Sequence, residues 1–379
     1  MPFFHINGDD KLYETALKLL KKIESFGYKA YIIGGYPRDL YLKRGSNDVD
    51  ICTDATPMEL KNIFKEVVTT SSEYGTVTIL FENIKFEITT FRKEFKYKDG
   101  RHPIKIEYVN SLKEDVIRRD FTINTLAIDK DGNEIDLLNA KKDIDEKIIR
   151  VVGDTKSKIK EDSLRILRAI RFATVLNFKL DNNLKKYIRW YGHNLKKISN
   201  DIKKNELDLI FSNSNKEYGI KLLLELKLEK HLDIPNLKNI KITPSMIVTW
   251  SELNALDKYN FNCLERESII KINELKNKNI LDRHILYEYG LYICTMAAEL
   301  KGIDKKELNE QFAKMQIRSK LDIALSPLEI CKILKVPAGP FLKPLIKDLE
   351  NKLIENKLKN EKKDIKEYIE KVYKKNEKA

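Results

Sequence analysis

The sequence predicts a mixed α/β head followed by an all-α remainder, with the main boundary near residue 150. Short strand-like apolar runs alternate with helical segments up to that point. From about residue 157 the apolar spacing becomes helical and stays so to the end of the sequence. The chain has 379 residues, of which 42% are hydrophobic, and this length and composition suit two or three packed domains.

The predicted order in the head is helix 12–26, strand 31–33, helix 37–43, strand 49–51, helix 57–66, strands 77–81 and 85–91, and a polar loop over 93–104. Apolar residues at helical spacing define the first helix, which Gly27 ends. Pro37 suits a first helical turn, because its missing N–H is not needed there. Glu82-Asn83 joins the last two strands as a hairpin. Asp99-Gly100 and Pro103 favour the loop.

Composition excludes several classes of protein. The net charge of +13 favours a polyanionic partner, and nucleic acid, a membrane surface and non-specific solubility all stay open at this point. No apolar run approaches the roughly 18 residues of a membrane span, and the first ten residues do not resemble a signal peptide, so no membrane span is expected. The cysteines form no CxxC pair and the histidines lack metal-site spacing, so neither zinc nor disulfides are predicted, and we expect buried free thiols in a reducing cytoplasm. The four cysteines are Cys52, Cys263, Cys294 and Cys331.

An acidic pair, Asp48-Val49-Asp50, is the first candidate for chemistry. Residues two apart on a strand share a face, and two such carboxylates repel unless a cation lies between them. Mg²⁺ favours such ligands, and two ions can hold both the attacking and the leaving oxygen in phosphoryl transfer. Glu87 on the hairpin is the candidate third ligand. The alternatives are a solvated strand end and an exposed strand glutamate.

Two further clusters suit a nucleoside triphosphate. Gly34-Gly35, between strand and helix, lets a phosphate approach the backbone, although a simple turn explains the pair equally well. In 118–124, arginine suits triphosphate oxygens, while Asp120 and Asn124 share a face if the segment is helical and suit ribose hydroxyls. The alternative for this cluster is a surface ion pair.

The segment Glu161-Asp162-Ser163-Leu164-Arg165 is predicted to open a helix, with Asp162 and Arg165 side by side. A carboxylate accepts hydrogen bonds and a guanidinium donates them. Cytosine and adenine offer a donor beside an acceptor on their pairing edges, whereas uracil and guanine offer the reverse. The pair therefore fits C and A and rejects U and G. An ordinary helix salt bridge is the alternative.

Basic and aromatic residues alternate over 179–204, among them Lys186, Tyr187 and Trp190. Such a mixture suits the RNA backbone and base stacking. A solvated amphipathic helix with core aromatics explains it equally well, so no site is assigned there.

These clusters, in this order, resemble the class II tRNA nucleotidyltransferases, the CCA-adding enzymes of the polymerase-β-like nucleotidyltransferase superfamily. The similarity is dense over roughly 30–175. The matching segments are IIGGYPRDLYL (32–42), NDVDICTDATP (47–57), FEITTFR (86–92), RRDFTINTLAID (118–129) and the EDSLR motif (161–165). Pro37 departs from the family pattern, where a small β-branched residue is usual.

The resemblance implies a polymerase-β-like head over 1–150, a neck over 151–215, a body over 216–326 and a tRNA-binding tail over 327–379. It implies template-independent addition of C, C and A to the tRNA acceptor end from CTP and ATP, with two Mg²⁺ ions. It also implies that segment 93–104 takes part in the switch from C to A. By motif, the metal-binding and catalytic residues are Asp48 and Asp50. The residues expected to bind the nucleotide are Gly34, Gly35, Arg38, Arg119, Asp120, Asn124, Glu161, Asp162, Arg165 and Arg168.

Several functions stay open at this point. Enzymes that add only A or only CC share these motifs. Bacterial poly(A) polymerases share the head, although they usually lack the EDSLR pattern. A non-catalytic RNA-binding protein with a degenerate head belongs to another class, and the intact acidic pair argues against it. Oligomeric state and the residues that grip tRNA are not predicted.

Overall fold

A computed structural model describes the chain at residues 10–46, 48–71, 75–98 and 102–376. The strands are β1 Ala30–Ile33, β2 Asp50–Thr53, β3 Val67–Ser71, β4 Thr76–Phe81, β5 Ile84–Thr90, β6 Arg92–Lys98, β7 His102–Tyr108, β8 Ala127–Ile128, β9 Glu134–Ile135, β10 Ile148–Ile149 and β11 Lys179–Leu180. The helices up to residue 225 are α1 Asp10–Ser25, α2 Gly35–Tyr41, α3 Pro57–Ile63, α4 Leu112–Arg118, α5 Ala140–Asp145, α6 Thr155–Glu161, α7 Leu164–Leu176, α8 Asn182–Tyr191, α9 Asn200–Phe211 and α10 Lys216–Glu225. Those that follow are α11 Met246–Glu252, α12 Cys263–Glu274, α13 Arg283–Lys301, α14 Lys305–Ala313, α15 Pro327–Leu334, α16 Leu342–Ile354 and α17 Lys362–Asn376.

A seven-stranded mixed sheet in the order β3-β4-β5-β2-β1-β8-β9 forms the centre of the head. The four predicted head strands all overlap strands of this sheet. Apolar residues of α1 and α3 pack on one face, and Ile51 of β2 points into that core. Cys52 belongs to a smaller apolar group with Phe91 and Val116 of α4. Since neighbours along a strand alternate between faces, Asp50 shares the face of Cys52.

The predicted polar loop over 93–104 is wrong. Strands β6 and β7 pair antiparallel in a separate two-stranded sheet, with Phe95 opposite Lys105. Residues 99–101, where the predicted Asp99-Gly100 turn falls, lie outside the described residues. The strand signal is an alternation of apolar residues that the intervening charges obscure. The alternating residues are Phe95, Tyr97, Ile104, Ile106 and Tyr108.

The predicted continuous helix from Glu161 is also wrong, because α6 ends at Glu161 and α7 begins at Leu164. Asp162 has extended backbone angles, φ −136° and ψ 102°. Its Oδ1 accepts a hydrogen bond from the backbone N–H of Leu164 at 2.9 Å. A short polar side chain that bonds the local backbone in this way favours a helix start over a helix interior. Asp162 therefore precedes α7, and the backbone N–H of Arg165 donates to the carbonyl of Asp162 at 3.3 Å.

By packing, the chain divides into two compact units, residues 1–235 and 236–379. The first contains the strands β1–β11 and helices α1–α10, and the second contains helices α11–α17 and no strand among its described residues. The predicted change from mixed to helical structure is confirmed, while the finer division into neck, body and tail stays a prediction. Among the described residues, no helix combines the length and the apolar character that a bilayer crossing requires.

Candidate active site

Three predicted carboxylates lie at one place on the sheet. Asp50 and Glu87 are register partners on the parallel strands β2 and β5. Phe86 and Ile88, the neighbours of Glu87, point into the opposite core, so Glu87 shares the face of Asp50. Asp48, which is exposed, comes two residues before Asp50. The predicted acidic pair and the candidate third ligand are therefore neighbours in the fold.

The pKa of Asp50 reflects the burial and the charges of this cluster. Burial and the charges of Asp48 and Glu87 raise the pKa of Asp50, and the cations Arg119 and Arg168 act to lower it, so that the pKa of Asp50 comes to about 6. Neighbouring like charges disfavour ionisation, and an opposite charge relieves the effect. At neutral pH the site concentrates negative charge that a cation would stabilise.

Gly34 brings the backbone close to this carboxylate. Its φ is +91°, in the region that favours glycine, and a Cβ built on it would lie 3.1 Å from Asp50 Oδ2. A side chain at this position would therefore be strained and would also press on Asp50. Helix α2 follows at once, beginning at Gly35 rather than at Pro37 as predicted. The predicted phosphate turn and the acidic pair are in contact.

A buried aspartate that the sequence analysis did not single out, Asp115 of α4, holds the two arginines that follow it. Arg118 donates from Nε to Asp115 Oδ1 at 2.8 Å, and Arg119 from Nη2 to Oδ2 at 3.0 Å. Burial acts to raise the pKa of Asp115, but the two guanidiniums hold it below its usual value. The spacing of three and four residues was the available signal. Arg119 is thereby held where its charge reaches Asp50.

Asp120, Asn124 and Arg38 belong to one closed network with α7. Asp120 Oδ1 accepts from Asn124 Nδ2 at 3.1 Å, and Asn124 Oδ1 accepts from Arg38 Nη1 at 2.6 Å. Asp120 Oδ2 accepts from Nε and Nη2 of Arg168, at 2.8 and 2.6 Å. The guanidiniums of Arg38 and Arg168 both lie over the ring of Phe172, 5.4 and 5.5 Å from its centre. The network closes on itself, so each of its polar groups orients the next.

The backbone that carries Asn124 differs from the prediction, and the network also lowers the pKa of Asp120. Asn124 reaches Asp120 from a 3₁₀ turn, Thr122–Asn124, and not from the predicted α-helical face. Burial opposes ionisation of Asp120, yet Arg168 and the hydrogen bonds lower the pKa of Asp120 to about 2. The carboxylate is therefore a firmly ionised link between the head and α7.

The predicted base-reading residues lie where α6 gives way to α7. Arg165 is only 4% exposed. Its Nη1 donates to the backbone carbonyl of Lys158 at 2.7 Å and approaches Glu161 Oε2 at 3.4 Å, and its Nη2 reaches the carbonyl of Arg118 at 3.5 Å. These contacts orient the guanidinium between α6 and the head segment that carries Arg119.

Arg168 connects this corner electrostatically to the carboxylate cluster. Asp120 raises the pKa of Arg168 most, and the charges of Glu206 and Asp162 add to the effect. Arg168 in turn lowers the pKa of Asp50. The charges of Asp162 and Asp50 therefore both act on one guanidinium.

The chemistry of the acidic residues suits a hard divalent cation. Mg²⁺ is commonly held by one or two protein carboxylates together with substrate phosphates and water. Within residues 10–46, 48–71, 75–98 and 102–376, no group of three or more His, Cys, Asp or Glu side chains is spaced to hold a metal ion. Asp48 and Asp50 supply two carboxylates of the kind that Mg²⁺ accepts. Glu87 as a third ligand stays a prediction.

Comparison with known families first defines the class of protein. A family described as "Poly A polymerase head domain" matches residues 30–150, which contain the sheet, the carboxylates and segment 118–124. A second family, "tRNA nucleotidyltransferase domain 2 putative", matches residues 262–369. The head is that of a nucleotidyltransferase.

Relatives that match over nearly the whole chain show which family of nucleotidyltransferases this is. The CCA-adding enzyme of Bacillus licheniformis is 31% identical over 95% of this chain and 98% of its own. That of Streptococcus uberis is 32% identical over 94% and 96%. A crystal structure of the Bacillus stearothermophilus CCA-adding enzyme with CTP matches with a TM-score of 0.83 and 26% identity, over 97% of this chain and 98% of that one. The chain belongs to the CCA-adding enzyme family, which confirms the predicted resemblance and fold class.

Proposed function

We propose that this chain adds C, C and A to the 3′ end of tRNA from CTP and ATP, without a nucleic-acid template. One observation supports the proposal: Arg165 Nη2 reaches the backbone carbonyl of Arg118 at 3.5 Å, and the next residue, Arg119, is held by Asp115 where its charge acts on Asp50. In this proposal the phosphoryl-transfer site and the protein edge for a base belong to one pocket. The similarity to an enzyme crystallised with CTP supports this assignment.

In this proposal the head residues handle the triphosphate and the metal. Two Mg²⁺ ions, held by Asp48 and Asp50 with Glu87 as the candidate third ligand, would lower the pKa of the tRNA 3′-hydroxyl and stabilise the departing pyrophosphate. Gly34 and Gly35 admit the phosphates close to the backbone. Arg119, fixed by Asp115, supplies positive charge beside them.

The network around Asp120 positions the sugar end of the nucleotide. Asn124 and Asp120 present an amide and a carboxylate whose orientations are set by Arg38 and Arg168. Such groups accept from and donate to ribose hydroxyls. Because the network is closed, the ribose meets donors and acceptors that do not need to reorganise.

Base choice belongs to Asp162 and Arg165 in this account. The Asp162 carboxylate accepts and the Arg165 guanidinium donates, which matches the donor and the acceptor on the pairing edge of cytosine or adenine. Uracil and guanine would instead place an acceptor against the carboxylate and a donor against the guanidinium. Each unmatched polar group in a closed pocket costs about 1–3 kcal/mol, which suffices for strong discrimination. Glu161 contacts Arg165 and so helps to set the guanidinium.

The net charge of +13 suits a tRNA partner. We also expect the chain to act in the cytoplasm, where the buried thiols of Cys52, Cys294 and Cys331 stay reduced.

Transfer to a tRNA transcript that lacks its three terminal nucleotides tests the proposal. The full chain is incubated with Mg²⁺ and CTP, ATP or both, and the products are sequenced. We expect two C residues with CTP alone, no extension with ATP alone, and a single CCA with both. A product ending in CC with both nucleotides would indicate a CC-adding enzyme, and a run of A residues a poly(A) polymerase. Extension only of a transcript already ending in CC would indicate an A-adding enzyme, and no extension of any transcript a non-catalytic RNA-binding protein.

A further inference from the structure

Helix α8 presents aromatic side chains interleaved with lysines, and Lys160 of α6 lies against one of their rings. Trp190 is 55% exposed, although large aromatic residues are usually well buried. Tyr187 meets it edge-on, with ring centres 5.5 Å apart, and stacks on Tyr191 at 6.3 Å. Lys186 Nζ lies 4.8 Å from the Trp190 ring centre, and Lys160 Nζ lies 5.8 Å from that of Tyr191. We name these five residues the α6–α8 face.

The charge around this face has one dominant sign. Residues 182–197 contain five basic residues and no acidic one. Glu225 of α10 neutralises part of this positive charge, because Lys185 and Arg189 both form ion pairs with its Oε1 at 3.2 Å. Lys186 and Lys160 instead lie over aromatic rings. Cations beside an exposed indole are the combination that binds phosphates while a base stacks on the ring.

The α6–α8 face adjoins the base-reading corner. Lys160 of this face and Glu161, which contacts Arg165, are consecutive residues on α6. Consecutive Cα atoms lie about 3.8 Å apart, so α6 contributes one residue to each surface, and the two side chains point in different directions.

We propose that the α6–α8 face is a stacking platform for an unpaired base near the 3′ end of the tRNA, with Trp190 as the stacking ring and Lys186 beside the adjoining phosphate. This inference rests on the proposed function for the identity of the RNA. It adds a binding site outside the catalytic pocket, and it commits to a ligand that has both bases and phosphates.

Intrinsic fluorescence tests the stacking directly. The chain has two tryptophans, and Trp250 is 1% exposed, so Trp190 is the one that a ligand can reach. Titrating the full chain with tRNA lacking its terminal CCA should quench the emission, and Trp190→Phe should lose most of that quenching. Inorganic polyphosphate, which carries charge without bases, should quench little. Equal quenching by polyphosphate would reduce the face to a charged patch and overturn the proposal.

Kinetics provide the second test. Trp190→Ala should raise the KM for tRNA by about tenfold with kcat nearly unchanged, since stacking on one aromatic ring accounts for an effect of that order. Trp190→Phe should restore most of the affinity because a ring remains. Lys186→Gln should lower the salt dependence of tRNA binding by about one phosphate contact. Phe26→Ala removes an aromatic side chain of similar exposure, 57%, and serves as the matched control.

The outcomes separate this inference from the proposed function. If Trp190→Ala keeps the wild-type KM while the chain still adds nucleotides, the platform is refuted and the proposed function stands. If the wild-type chain adds no nucleotide, the proposed function fails. In that case base-dependent quenching of Trp190 by RNA supports the platform, and its absence refutes it.

Discussion

The ion pair between Asp120 and Arg168 links head segment 118–124 to α7, and a double-mutant cycle measures its strength. The variants are Asp120→Asn, Arg168→Gln and the pair together. A pKa of about 2 for Asp120, against an ordinary 3.8, corresponds to roughly 2 kcal/mol in favour of the ionised carboxylate, which Arg168 shares with the hydrogen bonds from Asn124 and Phe121. Since 34% of the Arg168 side chain is exposed, water screens part of this effect. We therefore expect a coupling energy of about 1–2 kcal/mol at pH 7.

The pH dependence of this coupling has a definite sign. The pKa of Asp120 is lower in the folded protein than in the unfolded chain, so the stabilisation is complete well above pH 3.8. It is lost as the pH falls from about 4 toward 2, and at pH 3 about half should remain.

Urea unfolding followed by circular dichroism, at pH 7 and at pH 3, gives the four free energies of the cycle. The exposed pair Lys18 and Glu82, with side chains 58% and 43% exposed, is the matched control, and its coupling should be close to zero. A coupling below about 0.5 kcal/mol between Asp120 and Arg168 at pH 7 would refute the importance of this link, as such a value is typical of exposed pairs. The same coupling at both pH values would refute the electrostatic explanation.

Three further predictions concern nucleotide addition and tRNA binding. Asp48→Ala should abolish nucleotide addition, measured by labelled CTP transfer, and leave tRNA binding, measured by filter binding, nearly intact. The exposed Asp131→Ala is the control and should keep wild-type turnover. Retained turnover in Asp48→Ala would exclude Asp48 as a metal ligand. Deleting 97–103 spares Glu94 and its hydrogen bond from Arg118. In single-turnover assays this deletion should impair addition of A more than addition of C. Equal losses would argue against a role for the β6–β7 hairpin in the switch from C to A. The affinity for tRNA should fall linearly on a log–log plot against salt, with a slope of several phosphate contacts, and a flat plot would contradict the charge argument.

The candidate site residues could be named from the sequence because they come from short local patterns, and their roles stay predictions. Strand alternation gives the face on which Asp50 lies, whereas Asp48 comes just before β2, and the register that sets Asp50 against Glu87 is a pairing of two strands. Gly34 was predicted as a turn, and its φ of +91° against Asp50 gives the reason for glycine.

What the sequence did not reveal depends on contacts between distant residues. Glu94 and Arg118 are 24 residues apart, and nothing local announces their ion pair. The hairpin of β6 and β7 was missed because charged residues fill the positions between its apolar ones. The break at Asp162 did carry a signal, since Asp followed by Ser is typical of a helix start, but the helical spacing of 161–165 outweighed it.

Nucleotide choice by Asp162→Asn tests the central claim most directly. The amide oxygen can still accept from the Leu164 N–H, so the helix start should persist, while the amide nitrogen adds a donor where the carboxylate had only acceptors. The same exchange at Asp154, which caps α6 through Ser157, is the matched control. If the protein edge selects the base, the ratio of kcat/KM for CTP to that for UTP should fall at least tenfold in Asp162→Asn and stay unchanged in Asp154→Asn. An unchanged ratio in Asp162→Asn would contradict the account.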